Sequence, residues 1–123
     1  MTTEQVAARL VELCRAGKYE EAQEELYADD AVSIEMPGLP EGALADAHGM
    51  EAIRAKGRAW QASIEEIHGG SVGEPIIAGD WFSVVMRIDA TYKDMGRLDM
   101  SEICVYRVRN GKIVHEQFFY NMD

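Results

Sequence analysis

The chain has 123 residues, 47% of them apolar and 28% charged, with a net charge of −10, which is enough for one domain that buries roughly two-thirds of its unfolded surface. No apolar run approaches the ~18 residues of a membrane span and "MTTEQVAARL" lacks the basic–apolar–small order of a secretory leader, so a soluble cytoplasmic protein without a membrane partner is expected. The acidic balance repels phosphate backbones and the twelve basic residues are scattered, which argues against a nucleic-acid partner; Cys14 and Cys104 sit in apolar patterns, as reduced buried thiols do.

In chain order, "TTEQVAARLVELCRAG" opens with Thr2 and Gln5 spaced as a capping box and stops at Gly17, with Val6, Leu10, Leu13 and Cys14 at helical spacing. "KYEEAQEELYADD" reads as a second short helix broken by the turn-formers Asp29 and Asp30, and the two helices should pair. "AVSIEMP" leans to a strand closed by Pro37, and "GLPEGALADAHG" is the clearest loop. A third helix is expected over Met50–Ala62, with Ile53, Gly57 and Trp60 along one side.

From there the period changes to that of strands. The glycines of "SIEEIHGGSVGEPII" suggest a strand with a bulge or kink. In "DWFSVVMRIDATYK", Phe82, Val84, Met86, Ile88, Ala90 and Tyr92 alternate with a mostly polar set. "RLDMSEICVYRVR" alternates again, and "NG" then starts "KIVHEQFFYN" as a hairpin. Helices ahead of a strand meander indicate a single α+β domain over residues 1–123, with the helices on one face of a curved antiparallel sheet.

The phrases "ELYADDAVSIEMPG", "HGMEAIRA" and "VYRVRNGKIVHEQFFYN", in this order and spacing, resemble the nuclear-transport-factor-2-like superfamily and, within it, the SnoaL-like group. That resemblance implies a cone: a bent sheet wrapped by three helices around a mainly apolar pocket. The superfamily includes isomerases, cyclases, epoxide hydrolases, dehydratases and members that bind without catalysing, so the fold does not fix the function. Steroid isomerases of this type place their base at the end of the strand after the "ADDA" phrase. An ungapped match puts it at Glu35 and alignment of the prolines at Met36, while the alternation of Val32, Ile34 and Met36 favours Met36 facing inward. The phenol of those isomerases falls near Leu10, and the aspartate of similar cyclases and epoxide hydrolases corresponds to Phe118, which argues against direct transfer of either mechanism.

Arg107 and Arg109 do not suit a core, so Ile103 and Val105 share their outer face while Glu102, Cys104, Tyr106 and Val108 point inward. His115 and Glu116, being consecutive, project to opposite faces. A three-residue "RNG" loop would set Glu116 opposite Cys104 and put Val114, Glu116, Phe118 and Tyr120 inside; a two-residue loop would put His115, Gln117 and Phe119 there. The resemblance favours the first, since similar isomerases and hydrolases line their cavity at the positions of Glu116, Phe118 and Tyr120.

Two inward carboxylates, Glu102 and Glu116, would then share an apolar wall, where burial and repulsion raise carboxyl pKa values and suit proton transfer beside a carbonyl. His68, if inward with Ile64 and Glu66, would assist as a base or shuttle. Expected catalytic residues are therefore Glu102, Glu116 and His68, and expected ligand-binding residues are Trp60, Met86, Tyr106, Phe118 and Tyr120. No metal or cofactor is expected, because paired-cysteine, Gly-rich phosphate and local histidine motifs are missing. The expected partners are a small apolar or aromatic molecule and a second copy docked on the outer sheet face through Val85, Arg87, Asp89, Val105 and Arg107. Small-molecule binding without catalysis, or protein interaction, is the alternative.

Overall fold

A computed structural model describes residues 1–37 and 45–121. Helix α1 (Thr3–Arg15) begins at the Thr2–Gln5 capping box, formed in both directions, and turns its Val6, Leu10, Leu13 and Cys14 stripe into the core. Gly17, at φ 74°, ends it in the left-handed region that suits glycine. Helix α2 (Tyr19–Leu26) pairs with α1, and α3 (Met50–Ala62) keeps its expected bounds. Most of the loop read in residues 38–49 lies outside the described residues.

Asp29 and Asp30 do not make a turn. The chain leaves α2 directly into strand β1 (Tyr27–Ile34), where both aspartates are exposed beside an irregular register. Pairing with a neighbouring strand overrides their local turn preference. Strands β2 (Ala47–His48), β3 (Ile64–Val72), β4 (Ile76–Ala78), β5 (Trp81–Tyr92), β6 (Gly96–Arg109) and β7 (Lys112–Tyr120) follow. They form an open sheet in the order β2-β1-β7-β6-β5-β3, with β4 on β5. The β5–β6–β7 meander is antiparallel as its alternation indicates, and β1 adds one parallel pair against β7. The core joins inward residues of all three helices to Phe82, Val84, Met86, Cys104, Tyr106, Val108 and Ile113, so the helices cover one sheet face. Among the described residues, no helix is long and apolar enough to cross a membrane.

Three bulges decide what faces that core. At the final hairpin, Asn110 and Gly111 have φ 52° and 75° and make a two-residue turn, pairing Arg109 with Lys112 and Val108 with Ile113. The register then slips by one, so that Arg107 pairs with His115 and Tyr106 with Glu116. The turn is thus the shorter alternative, but the extra residue, Val114, restores the facing of the longer one. Ile113 fills the core where Val114 was expected, and Val114 lines the outer face.

Strand β3 slips between Ile64 and Glu66 and again between Ile67 and Gly69. Its Gly70 is required by space, since a Cβ there would lie 2.7 Å from the Arg87 carbonyl oxygen. The first slip turns His68 away from the interior to the outer face, where it is exposed and its Nε2 meets Thr91 Oγ1 at 2.7 Å.

Candidate functional site

Three cross-strand rungs of β6 and β7 form one wall of the interior: Glu102 with Tyr120, Cys104 with Phe118, and Tyr106 with Glu116. Glu102 and Glu116 share this face, but they stand two rungs apart, with Cys104 and Phe118 between them. The expected pairing of Glu116 with Cys104 is therefore corrected by two residues, because the turn is tighter and the bulge lies farther along β7.

Glu116 is 5% exposed. Its Oε1 accepts from the Tyr27 hydroxyl, and its Oε2 accepts from Ser33 Oγ at 2.8 Å. Burial pushes its pKa up; the two donors and the charge of Lys56 pull the other way without overcoming it. Tyr27, the partner donor, is held well above the ordinary phenol range by burial and then by the adjacent carboxyl.

Ser33 links Glu116 to a second carboxyl. It accepts from Lys56 Nζ at 3.0 Å, and the same ammonium lies 2.8 Å from Glu35 Oε1, with side chains only 12% and 4% exposed. Glu35 also accepts from the Tyr120 hydroxyl at 3.4 Å. The expectation that Met36 faces inward fails: Ala31, Ser33 and Glu35 are the buried phase of this segment, and Val32 and Ile34 are only half-buried. Apolar alternation misled here because the inner face carries a polar network and the outer phase carries the aliphatics.

Lys56, Ser33 and Tyr27 were not among the expected site residues. One signal for Lys56 exists, since it falls three residues after Ile53 and four before Trp60, on the inner stripe of α3. Its ammonium also stands 5.4 Å from the Phe118 ring centroid.

Glu102 sits beside Met86 on β5 and accepts from the Cys104 thiol at 3.5 Å. Burial raises its pKa to about 7; the thiol bond opposes this, the charges of Glu35 and Glu116 add to it, and Lys56 offsets part of it. Tyr120 rises to about 12, from burial first and then from Glu35. Three carboxyls thus lie around one ammonium, two of them pushed toward the neutral form, an arrangement able to hold and move a proton.

Next to Glu102, Met86 forms part of a cleft of about 670 Å³ lined also by Cys14, Tyr19, Trp60 and Val72. Tyr19 and Trp60 meet edge to face there, 6.0 Å apart at 87°. Of the expected ligand-binding residues, Trp60 and Met86 line this cleft. Phe118 and Tyr120 flank the carboxyl network instead, and Tyr106 is packed in the core, 2% exposed and stacked on Phe82 at 4.8 Å.

His68 is corrected from an inward shuttle to an outer-face residue, carried there by the first β3 slip. His115 faces outward beside Trp81. Among the described residues no group of three or more His, Cys, Asp or Glu side chains is placed to hold a metal ion. Cys14 and Cys104 are free and buried, and burial raises both thiol pKa values.

The SnoaL-like domain model matches residues 1–120. A crystal structure from Mesorhizobium loti, provisionally named a SnoaL-like polyketide cyclase, is 41% identical, with a TM-score of 0.88 over 98% of this chain and 100% of that one. An NTF2-like protein of unknown function from Burkholderia pseudomallei is 20% identical, with a TM-score of 0.78 over 98% and 92% of the two chains. A protein from Bacillus subtilis, provisionally named an isomerase, is 20% identical, with a TM-score of 0.76 over 98% and 90%. The last two similarities concern the fold alone. None of the curated proteins matches the chain.

Proposed function

The chain belongs to the SnoaL-like domain family, and we propose that it binds a small apolar or aromatic molecule in the cleft between α1, α3, β3 and β5 and catalyses proton transfer on it without a cofactor. The observation that carries this reading is Glu102, a carboxyl held at about pKa 7 beside Met86 of the cleft wall. A group poised there takes a proton from carbon next to a carbonyl and returns it to another atom of the same molecule, with little penalty in either direction. Trp60, Tyr19 and Met86 hold the flat apolar body. Glu35, Glu116 and Lys56 act on Glu102 through charge, Tyr120 hydrogen-bonds to Glu35, and the reaction class is that of an isomerase or cyclase.

Proton exchange on an enolisable aromatic ketone tests the proposal. With 2-tetralone in D₂O, deuterium uptake at the α carbon should exceed the buffer rate, rise through a midpoint near pH 7, and fall about 100-fold in Glu102→Gln. An unchanged rate in that variant rules out Glu102 as the acid–base group. A second reading, binding without catalysis, is favoured by Glu116, whose two oxygens are already occupied by Tyr27 and Ser33. Saturable quenching of Trp60 fluorescence by the ketone without exchange would support it.

The proposed protein partner is a second copy. Val85, Ile103 and Phe119 stand in one cross-strand row on the outer face, 52%, 49% and 40% exposed. Sedimentation should report a dimer that Ile103→Lys converts to monomer.

A further inference from the structure

Two rungs along the outer face from that apolar row, a groove of about 480 Å³ opens between β1, the start of β5 and the β6–β7 hairpin. Trp81, Arg107, Arg109, Lys112 and His115 line it, with Asp30 as the opposing charge. We propose that this groove binds a small organic anion, a carboxylate or a phosphate, at a site separate from the interior cleft.

Strand alternation builds the groove. Phe82 and Tyr106 fill the core, so Trp81 and Arg107 project outward as a cross-strand pair, and the bulge at Val114 brings His115 opposite Arg107. The Arg107 guanidinium lies 5.6 Å from the Trp81 ring centroid, and the His115 and Trp81 rings meet edge to face with centroids 5.7 Å apart. Arg109, two residues on, shares this face.

These cations are not consumed by the fold. Among the described residues Arg107, Arg109 and Lys112 make no ion pair, whereas Arg87 and Arg97 elsewhere on the sheet are held by Asp99 and Asp89. Arg107 Nε is buried without an acceptor, and Lys112 gives one bond to the Glu25 carbonyl at 2.7 Å. In a chain of net charge −10, a convergence of three cations and an imidazole on one concave surface runs against composition. A planar guanidinium on an aromatic ring, with a second guanidinium beside it, suits a planar or tetrahedral oxyanion.

The two tryptophans give each site its own reporter, since Trp60 lines the cleft and Trp81 the groove. In a ¹H–¹⁵N spectrum at low salt, titration with benzoate or with inorganic phosphate should shift the Trp81 indole signal saturably and leave that of Trp60 in place. Arg107→Gln should weaken the effect about tenfold or more, Arg107→Lys less, and Arg87→Gln not at all. Benzoate acting alone would assign the site to carboxylates, and phosphate acting alone to phosphates. The proposal is overturned if neither anion moves the Trp81 signal by about 10 mM, a range reaching weaker than millimolar affinity. It is equally overturned if Arg107→Gln and Arg107→Lys both bind as wild type, or if the signal follows protein concentration instead of ligand, which would make the groove a contact between copies.

Discussion

Replacing Lys56 by methionine keeps the side-chain length and removes the charge that Glu35, Ser33 and Phe118 share. At 2.8 Å the Lys56–Glu35 attraction is worth about 6 kcal/mol at an effective dielectric of about 20. Much of that offsets the cost of taking both groups out of water. What remains visible is the penalty of leaving Glu35 buried without its partner, about 3–5 kcal/mol. For a domain of this size that lowers the melting temperature by about 10–20 °C, followed by circular dichroism. The reasoning makes a sharper demand on the double variant: Lys56→Met with Glu35→Gln should recover most of the loss, because no buried charge is then stranded. Coupling of about 2 kcal/mol or more is expected in urea titrations of the four proteins. Additivity within about 0.5 kcal/mol would refute the view that these two side chains form one buried unit.

Glu102 makes folding pH-dependent in a defined direction. Its carboxyl titrates at 4.5 in the unfolded chain and about 7 in the fold, so the folded form holds the proton more tightly. The resulting stability is complete below pH 4.5 and is lost as pH rises through about 7. It amounts to at most about 3 kcal/mol; Glu116, also raised, acts in the same sense. Urea midpoints at pH 5 and pH 8 should differ in that direction, and Glu102→Gln should narrow the difference. Inserting one alanine between His115 and Glu116 shifts the strand beyond it by one residue, turning Glu116 outward and Gln117 inward. That strips Tyr27 and Ser33 of their acceptor and should leave a chain without a cooperative melt; a native-like melting curve would show that the strand absorbs the slip.

The helices and the meander were legible because their signals are local. The capping box of Thr2 and Gln5, the bounds Met50–Ala62, and the alternation from Phe82 to Tyr92 depend on spacing along one element, and each appears as read. The inward facing of Glu102, Cys104 and Tyr106 followed from the outward demand of Arg107 and Arg109 in the same strand. The family resemblance then supplied the order in which such elements pack, which periodicity does not contain.

What the spacing did not contain is phase between elements. His68 was lost to the outer face by the one-residue slip between Ile64 and Glu66 in β3, and Glu116 kept its inward facing only because the slip at Val114 offset a tighter turn. Lys56 and Glu35 lie far apart in the chain and are brought to 2.8 Å by the packing of α3 over β1. The sequence by itself determined the elements, the single α+β domain and a carboxylate-bearing inner strand. Tertiary structure alone decided which carboxyls gather around Lys56, because a strand's facing inverts with each inserted residue and a buried charge is defined by what packs across from it.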